Sequence, residues 1–251
     1  MVMERNVQLA QVNHTYAGNA WLPYSAGIVQ ANAQAQSDLK EAYRFASPIF
    51  LREDPRKVAA SLNSPDVLGI SCYIWNWEWS KALAREVRQQ HPKTLIVMGG
   101  PQVPDYSDGF FQEHPYIDIL VHGEGEVTFA NILRERLKEN PNYAHVRGIT
   151  YNQNKKSMRM QPQPRATEKG MDKNGNPTPL IEDIISPYLF DTFEELMRAH
   201  PELGFNATSE THRGCPYSCE FCDWGSATYQ HVDKFSDDRV KAEYRWIAEN
   251  Q

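Results

Sequence analysis

The stretch Asp66–Gly100, DVLGISCYIWNWEWSKALAREVRQQHPKTLIVMGG, reads as strand, helix, strand. Asp66–Tyr73 is a mostly apolar run of buried-strand type, and Thr94–Met98 is a second, ending in Gly99-Gly100-Pro101. Between them Asn76–Gln90 is a helix closed by His91-Pro92. Near-continuous apolar strands suit a sheet covered on both faces. A strand–helix–strand order implies a right-handed crossover and parallel pairing.

The pattern extends in both directions. Upstream, Val7–Val12 is a strand and Asn13–Tyr24 a loop stopped by Pro23. Ser25–Leu39 is a helix with Ser25 as its cap, and Tyr43–Phe50 is a strand broken by Pro48. Asp54-Pro55 opens a helix to about Leu62, proline being tolerated at a first helical position. Downstream, Ile117–Val121 is a strand followed by HGEGEVTF and a helix from about Glu126 to Lys138. The alternation predicts an α/β fold with a Rossmann-like parallel sheet. Ligands of such sheets sit beyond the carboxyl ends of the strands, where Gly99, Gly100, Gly123 and Gly125 fall. Glycine there admits a flat or bulky ligand close to the backbone; simple turn glycines are the competing reading.

After the sheet, Val146–Tyr151 and Ser157–Gln161 flank Asn152–Lys156 as a hairpin, and Pro162–Pro179 is a linker. Leu180–Tyr188 and Phe190–His200 carry apolar residues suited to packing between two halves. Phe205–Thr211 is a strand, and Ser236–Glu249 is a helix capped by Ser236 with Val240, Tyr244 and Ile247 on one face. The expected organisation is residues 1–145, a hairpin and linker over 146–204, and a separate unit over 205–251.

Between that last strand and helix lies His212–Gly225, HRGCPYSCEFCDWG. It holds three of the four cysteines, Cys215, Cys219 and Cys222, spaced C-x3-C-x2-C, with Phe221 before the last. Three thiolates on one loop can hold three corners of a [4Fe-4S] cube. Full ligation normally takes four cysteines, so one iron is left open. Zinc, with His212, His231 or Asp223 as a fourth ligand, competes, but no second cysteine knuckle exists. Cys72, inside an apolar strand, reads as a small buried residue.

The three-cysteine motif with Phe221 resembles the signature of the radical S-adenosylmethionine (SAM) enzymes. The resemblance implies that the open iron chelates SAM, that one-electron reduction yields a 5'-deoxyadenosyl radical, and that Phe221 borders the adenine. Arg213 and Gly214 would shape the start of the loop, and Asp223-Trp224-Gly225 would close it. The first half resembles the cobalamin (B12)-binding domains that precede many radical SAM domains. Ser71-Cys72-Tyr73 and Gly99-Gly100 stand for their Ser-x-Leu and Gly-Gly elements, and Gly123-Glu124-Gly125-Glu126 recurs in them. The family's Asp-x-His-x-x-Gly finds its counterpart in Leu22–Gly27, with Tyr24 in the place of the histidine. That departure implies cobalamin bound without a histidine lower ligand, or a degenerate domain that binds none. The aromatic series Tyr73, Trp75, Trp77 and Trp79 is core or lid packing, or a wall against the corrin.

A full βα barrel takes roughly 250 residues, and from Phe205 onward the sequence holds only one βα unit, its strand unpaired on at least one side. The chain is therefore expected to be the amino-terminal part of a longer enzyme. It would need a missing carboxy-terminal barrel portion or a complementary chain, a small-molecule substrate, and a one-electron reductant such as a flavodoxin or ferredoxin. The implied reaction is methyl transfer to an unactivated carbon or phosphorus. A cobalamin-sensing module with a vestigial loop, or a zinc-binding interaction protein, are the rival classes. The net charge of −6 and the lack of a basic run argue against nucleic acid. The polar amino terminus and the lack of a ~20-residue apolar run argue for a cytoplasmic protein without a membrane span.

Overall fold

Successive residues of a strand point to opposite faces, and in this chain both faces of the central strands are covered. A computed structural model describes residues 5–217, 219–220 and 231–250. The first elements are β1 (Arg5–Ala10), β2 (Asn19–Trp21), α1 (Tyr24–Gln34), α2 (Ser37–Ala42), β3 (Tyr43–Phe45) and α3 (Pro55–Ser61). Next come β4 (Val67–Ser71), α4 (Trp77–Gln90), β5 (Leu95–Gly99), α5 (Phe110–Glu113), β6 (Ile119–Val121) and α6 (Gly125–Leu137). The chain continues through β7 (Ile149–Gln153), β8 (Lys156–Arg159), α7 (Glu194–Ala199), β9 (Gly204–Asn206), β10 (His212–Arg213), β11 (Asp233–Lys234) and α8 (Asp237–Asn250).

Seven strands form one sheet in the order β3-β1-β4-β5-β6-β7-β8. The first five are parallel, and β7 and β8 add antiparallel. The five parallel strands, counted along the chain, lie in the spatial order 2-1-3-4-5, so the winding reverses between β1 and β4. That is the switch point of a doubly wound, Rossmann-like sheet. Leu68, Ile70, Ile96 and Met98 face one way, onto Val58, Leu83, Val87 and Phe111 of α3, α4 and α5. Val67, Leu95, Val97 and Ile119 face the other way, onto Ala26, Leu39, Phe129 and Leu133 of α1, α2 and α6.

A third apolar cluster joins the two halves of the chain. Leu22, Tyr24, Ile28 and Phe50 pack with Ile181, Ile184, Tyr188, Phe193, Leu196 and Phe205, and Val240, Trp246 and Ile247 of α8 pack against them. The apolar residues of Leu180–Tyr188 and Phe190–His200 thus lie between the halves, as their composition suggests. α1 serves both this cluster and the sheet, which is why it is buried along most of its length.

Several local readings change. Three residues of the loop Asn13–Tyr24 form β2, which pairs in parallel with β9; among the described residues β9 has no other strand partner. The helix over Ser25–Leu39 is two helices, broken at Ala35-Gln36 and begun at Tyr24 behind Pro23. Ser25 therefore lies inside the first turn and makes no cap hydrogen bond. The hairpin belongs to the main sheet, its Asn154-Lys155 turn having φ of 53° and 65°, as two-residue hairpin turns require. The Pro162–Pro179 segment is tied down, with Thr167 bridged to Leu180 and Met171 to Pro177. On α8, Tyr244 is 50% exposed and the buried position is Glu243. Asp54 caps α3 through Arg56 N, and Ser236 Oγ accepts from Arg239 N at the start of α8.

Candidate functional site

At the switch point the carboxyl ends of β1, β4, β5 and β6, with α1 and the start of α6, enclose a cavity of about 520 Å³. Its floor is apolar, from Leu9, Val97, Val121 and Phe129. Tyr24, Ser71, Gly99, Gly100, Gly123, Glu124, Gly125 and Glu126, singled out from the sequence, all line it. So do His212, Arg213 and Gly214, the first residues of the cysteine loop.

Two glycines shape the walls. Gly100 has φ of +100°, and a Cβ there would lie 2.5 Å from the Cys72 carbonyl oxygen. The close approach is fixed by Cys72 N donating to Gly99 O at 2.7 Å and Gln102 N to Cys72 O at 3.2 Å. A Cβ at Gly69 would lie 2.4 Å from Leu9 Cδ2 and 3.1 Å from Phe129 Cε2, so the floor closes only over glycine. Sequence reading passed over Gly69, although a glycine inside an apolar strand signals close approach.

The mouth is polar and aromatic. Ser25 Oγ and Tyr73 Oη are 2.5 Å apart. Tyr73 stacks on Trp75 at 4.5 Å with 10° between the planes, and Trp75 Nε1 donates to Asn13 Oδ1 at 3.1 Å. Trp77 and Trp79 turn away: Lys81 lies over the Trp77 ring, and Trp79 Nε1 donates to Glu53 O. Periodicity could not divide the aromatic series in this way, because α4 begins within it.

A compact charge cluster forms one side of the cavity. Arg213, only 9% exposed, donates from Nη2 to Glu126 Oε1 at 2.6 Å and to Glu210 Oε2 at 3.0 Å. Its Nη1 lies 3.3 Å from Glu124 Oε2. Glu124 also accepts from Ala166 N at 2.8 Å and pairs with Arg165 at 3.5 Å. Burial raises the Glu124 carboxyl above the usual range, against the pull of Arg213. Burial alone would weaken the hold of Arg213 on its proton, but Glu126, Glu210 and Glu124 outweigh it and hold the guanidinium charged. The Tyr24 ring stacks on Tyr188 and its hydroxyl approaches Glu210 Oε2 at 3.5 Å. Burial first, and then Glu210, push that hydroxyl above its usual range.

His122, unread in the sequence, lines the cavity at the end of β6, with Nε2 2.9 Å from Thr150 Oγ1. Burial pushes its pKa down from 6.5 to about 4. The unfolded chain therefore binds a proton that the fold refuses. Stability from this residue is whole above pH 6.5 and is lost as pH falls toward 4. At about 1.4 kcal/mol per pH unit the loss is at most about 3 kcal/mol. His122→Gln should flatten the urea midpoint between pH 7 and pH 4 relative to wild type; parallel pH profiles would contradict this assignment.

The cysteine loop is bracketed by β10 and β11, which pair antiparallel through Arg213 and Asp233. Cys215 is half-buried and Cys219 exposed, both as free thiols. Phe221, Cys222, Asp223, Trp224 and Gly225 lie outside the described residues. Cys72 is fully buried and its thiol is pushed up to about 12 by burial, as suits an inert core residue. No described helix is long and apolar enough to cross a membrane.

Residues 43–133 match the B12 binding domain. The chain is 39% identical over 230 residues to the cobalamin-dependent radical SAM methyltransferase TokK of Streptomyces tokunonensis, covering 91% of this chain and 32% of that protein. It is also 39% identical over 232 residues to the 2-(S-pantetheinyl)-carbapenam-3-carboxylate methyltransferase of Streptantibioticus cattleyicolor, covering 92% of this chain and 32% of that enzyme. Among solved structures it is similar in fold to the cobalamin-dependent S-adenosylmethionine radical enzyme OxsB with aqua-cobalamin bound. The TM-score is 0.70 at 17% identity, over 99% of this chain and 32% of that one. The chain thus spans about a third of the length of these relatives. The chain thus contains a B12-binding domain, carried on a doubly wound sheet, and is homologous to part of the cobalamin-dependent radical SAM methyltransferase TokK.

Proposed function

We propose that the cavity holds a cobalamin and that the protein works in radical methyl transfer to an unactivated carbon or phosphorus of a small molecule. The observation that carries this reading is the convergence of Ser71, Gly99, Gly100 and Gly123–Glu126 with the start of the cysteine loop on one cavity. The lining fits the group. An apolar floor of Leu9, Val97 and Phe129 suits the nucleotide tail, and glycine-edged strand ends suit the flat macrocycle. When bound, cobalamin would supply the methyl group, and a [4Fe-4S] cluster with SAM the radical.

The chain's own residues would bind, orient and exclude water. Leu9, Val97 and Phe129 dry the floor, and Ser71 and the Ser25–Tyr73 pair offer hydroxyls at the mouth. Tyr24 leaves the position of a lower-ligand histidine without an imidazole, and its hydroxyl is turned to Glu210. Cys215, Cys219 and Cys222 would hold the cluster, with Phe221 beside the adenine. The remaining length of the relatives suggests further barrel strands for substrate, and a flavodoxin- or ferredoxin-like donor would supply the electron.

Iron, sulfide and corrinoid analysis of anaerobically purified protein tests this reading. About four irons, four sulfides and one corrinoid per chain are expected. Cys215→Ala and Cys219→Ala should lose the iron and keep the corrinoid. Stoichiometric zinc instead, or corrinoid without iron in the wild type, would favour an interaction protein or a sensing module.

A further inference from the structure

We propose that the row Leu9, Gly69 and Val97 makes the cavity select corrinoids whose nucleotide ends in an apolar base, such as 5,6-dimethylbenzimidazole, over those that end in a purine; this rests on the cobalamin reading above. Alternate residues of a strand share a face. On the face turned to α1 and α6, the register sets Leu9 beside Gly69 and Gly69 beside Val97. Two residues on, about 7 Å nearer the mouth, Ser71 stands beside Gly99. Two residues back, Val7, Val67 and Leu95 form the next row, buried and apolar. Every polar side chain of the lining comes from the Ser71 row, from the turns beyond the strands, from the first turns of α1 and α6, or from the later chain. The Leu9 row supplies none. Nor does the backbone there offer a free donor, since β4 is an interior strand paired to both β1 and β5.

Gly69 sets the depth. Leu9 and Phe129 meet over it, so a Cβ there would lie 2.4 Å from Leu9 Cδ2 and 3.1 Å from Phe129 Cε2. Any side chain at this position would push both residues up into the cavity. One row nearer the mouth, Ser71 and Gly99 are small, and space opens at that level. On the helix side Val29 of α1 closes on α6, its Cγ2 3.2 Å from where a Cβ of Gly125 would stand. The cavity is thus a slot with a polar mouth and an apolar end. A flat base that enters it meets the end with its leading edge. The dimethylated ring of a benzimidazole brings methyl groups there, whose burial is favourable. Adenine in the same place brings ring nitrogens and an amino group, which would give up water and gain no partner.

The test titrates the full chain, in the dark, with three methylated corrinoids: methylcobalamin, its analogue with adenine as the base, and methylcobinamide, which has no nucleotide. Absorbance gives the three Kd values for wild type, Val97→Thr and Gly69→Ala. The readout is the ratio of the adenine analogue's Kd to that of methylcobalamin, compared between proteins. What each free corrinoid spends in releasing its base from cobalt cancels in that comparison. Val97→Thr nearly keeps the shape but puts a hydroxyl at the end of the slot, and should lower the ratio about five-fold or more. Gly69→Ala should weaken methylcobalamin about five-fold or more by raising the floor, and leave methylcobinamide within about two-fold. A merely structural role would weaken all three corrinoids alike. If Gly69→Ala does not fold, Val97→Thr decides alone. A ratio that Val97→Thr leaves unchanged overturns this inference, as does a Gly69→Ala protein that loses methylcobinamide as much as methylcobalamin; the cobalamin reading survives both. Wild-type protein that binds none of the three overturns the cobalamin reading with it.

Discussion

Gly100→Val should lower the melting midpoint by about 10 °C and leave protein that no longer retains corrinoid through gel filtration. A side chain at φ of +100° is strained, at about 1–3 kcal/mol. Its Cβ would sit 2.5 Å from a carbonyl oxygen, which no rotamer of a neighbour can relieve. Separating the ends of β4 and β5 to admit it adds about 1–3 kcal/mol. Those ends carry Ser71 and Gly99, so the strain is released into the cavity itself. Gly99→Ala is the control, because its Cβ would meet Val121 at 3.4 Å, an ordinary contact. That variant should stay within about 1 kcal/mol of wild type. A Gly100→Val protein melting within about 2 °C of wild type would show that the β4–β5 junction is not the constraint described.

The sheet was legible because its signal is local. Apolar runs bounded by Gly, Pro and Asp set β4, β5 and β6 to within about two residues. The glycines at their ends mark the cavity for the same reason, since only glycine fits Gly100's backbone and its contact with Cys72. β2 was not legible: it has three residues, and its partner β9 lies near the far end of the described chain, so no window joins them. The break between α1 and α2 carries no glycine or proline. It is held by Arg134, which bonds Gln36 Oε1 and pairs with Asp38, and that contact exists only after folding. The site divides in the same way. Ser71, Gly99 and Gly123–Glu126 were reached through the motifs that carry the family resemblance, whereas Gly69, His122 and Glu210 join the cavity only once β4, β6 and the later chain are brought together. Arg213 could be seen as part of the loop, but its three carboxylate partners could not.

Glu243→Ala should cost about 3–5 kcal/mol, although Glu243 does not line the cavity. The carboxylate is fully buried on α8, and Arg239 Nε donates to its Oε1 at 3.1 Å. The same guanidinium stacks over Phe235 at 3.8 Å and bonds Ile184 O. Removing Glu243 leaves a buried guanidinium without its counter-charge, so the loss exceeds the value of the bond itself. The pair is also incompletely satisfied, since Glu243 Oε2 and Arg239 Nη2 lack hydrogen-bond partners among the described residues. The double variant Arg239→Met/Glu243→Leu should therefore recover most of the loss, a strongly non-additive result for residues in contact. Urea midpoints of the two single variants and the double variant measure this, and additive losses would refute it. Phe235 also lies 5.8 Å from the Arg213 guanidinium. Loosening α8 should thus raise hydrogen exchange at residues 233–235 and 212–213 together, while the β4–β5 ladder, held by its own apolar faces, stays protected.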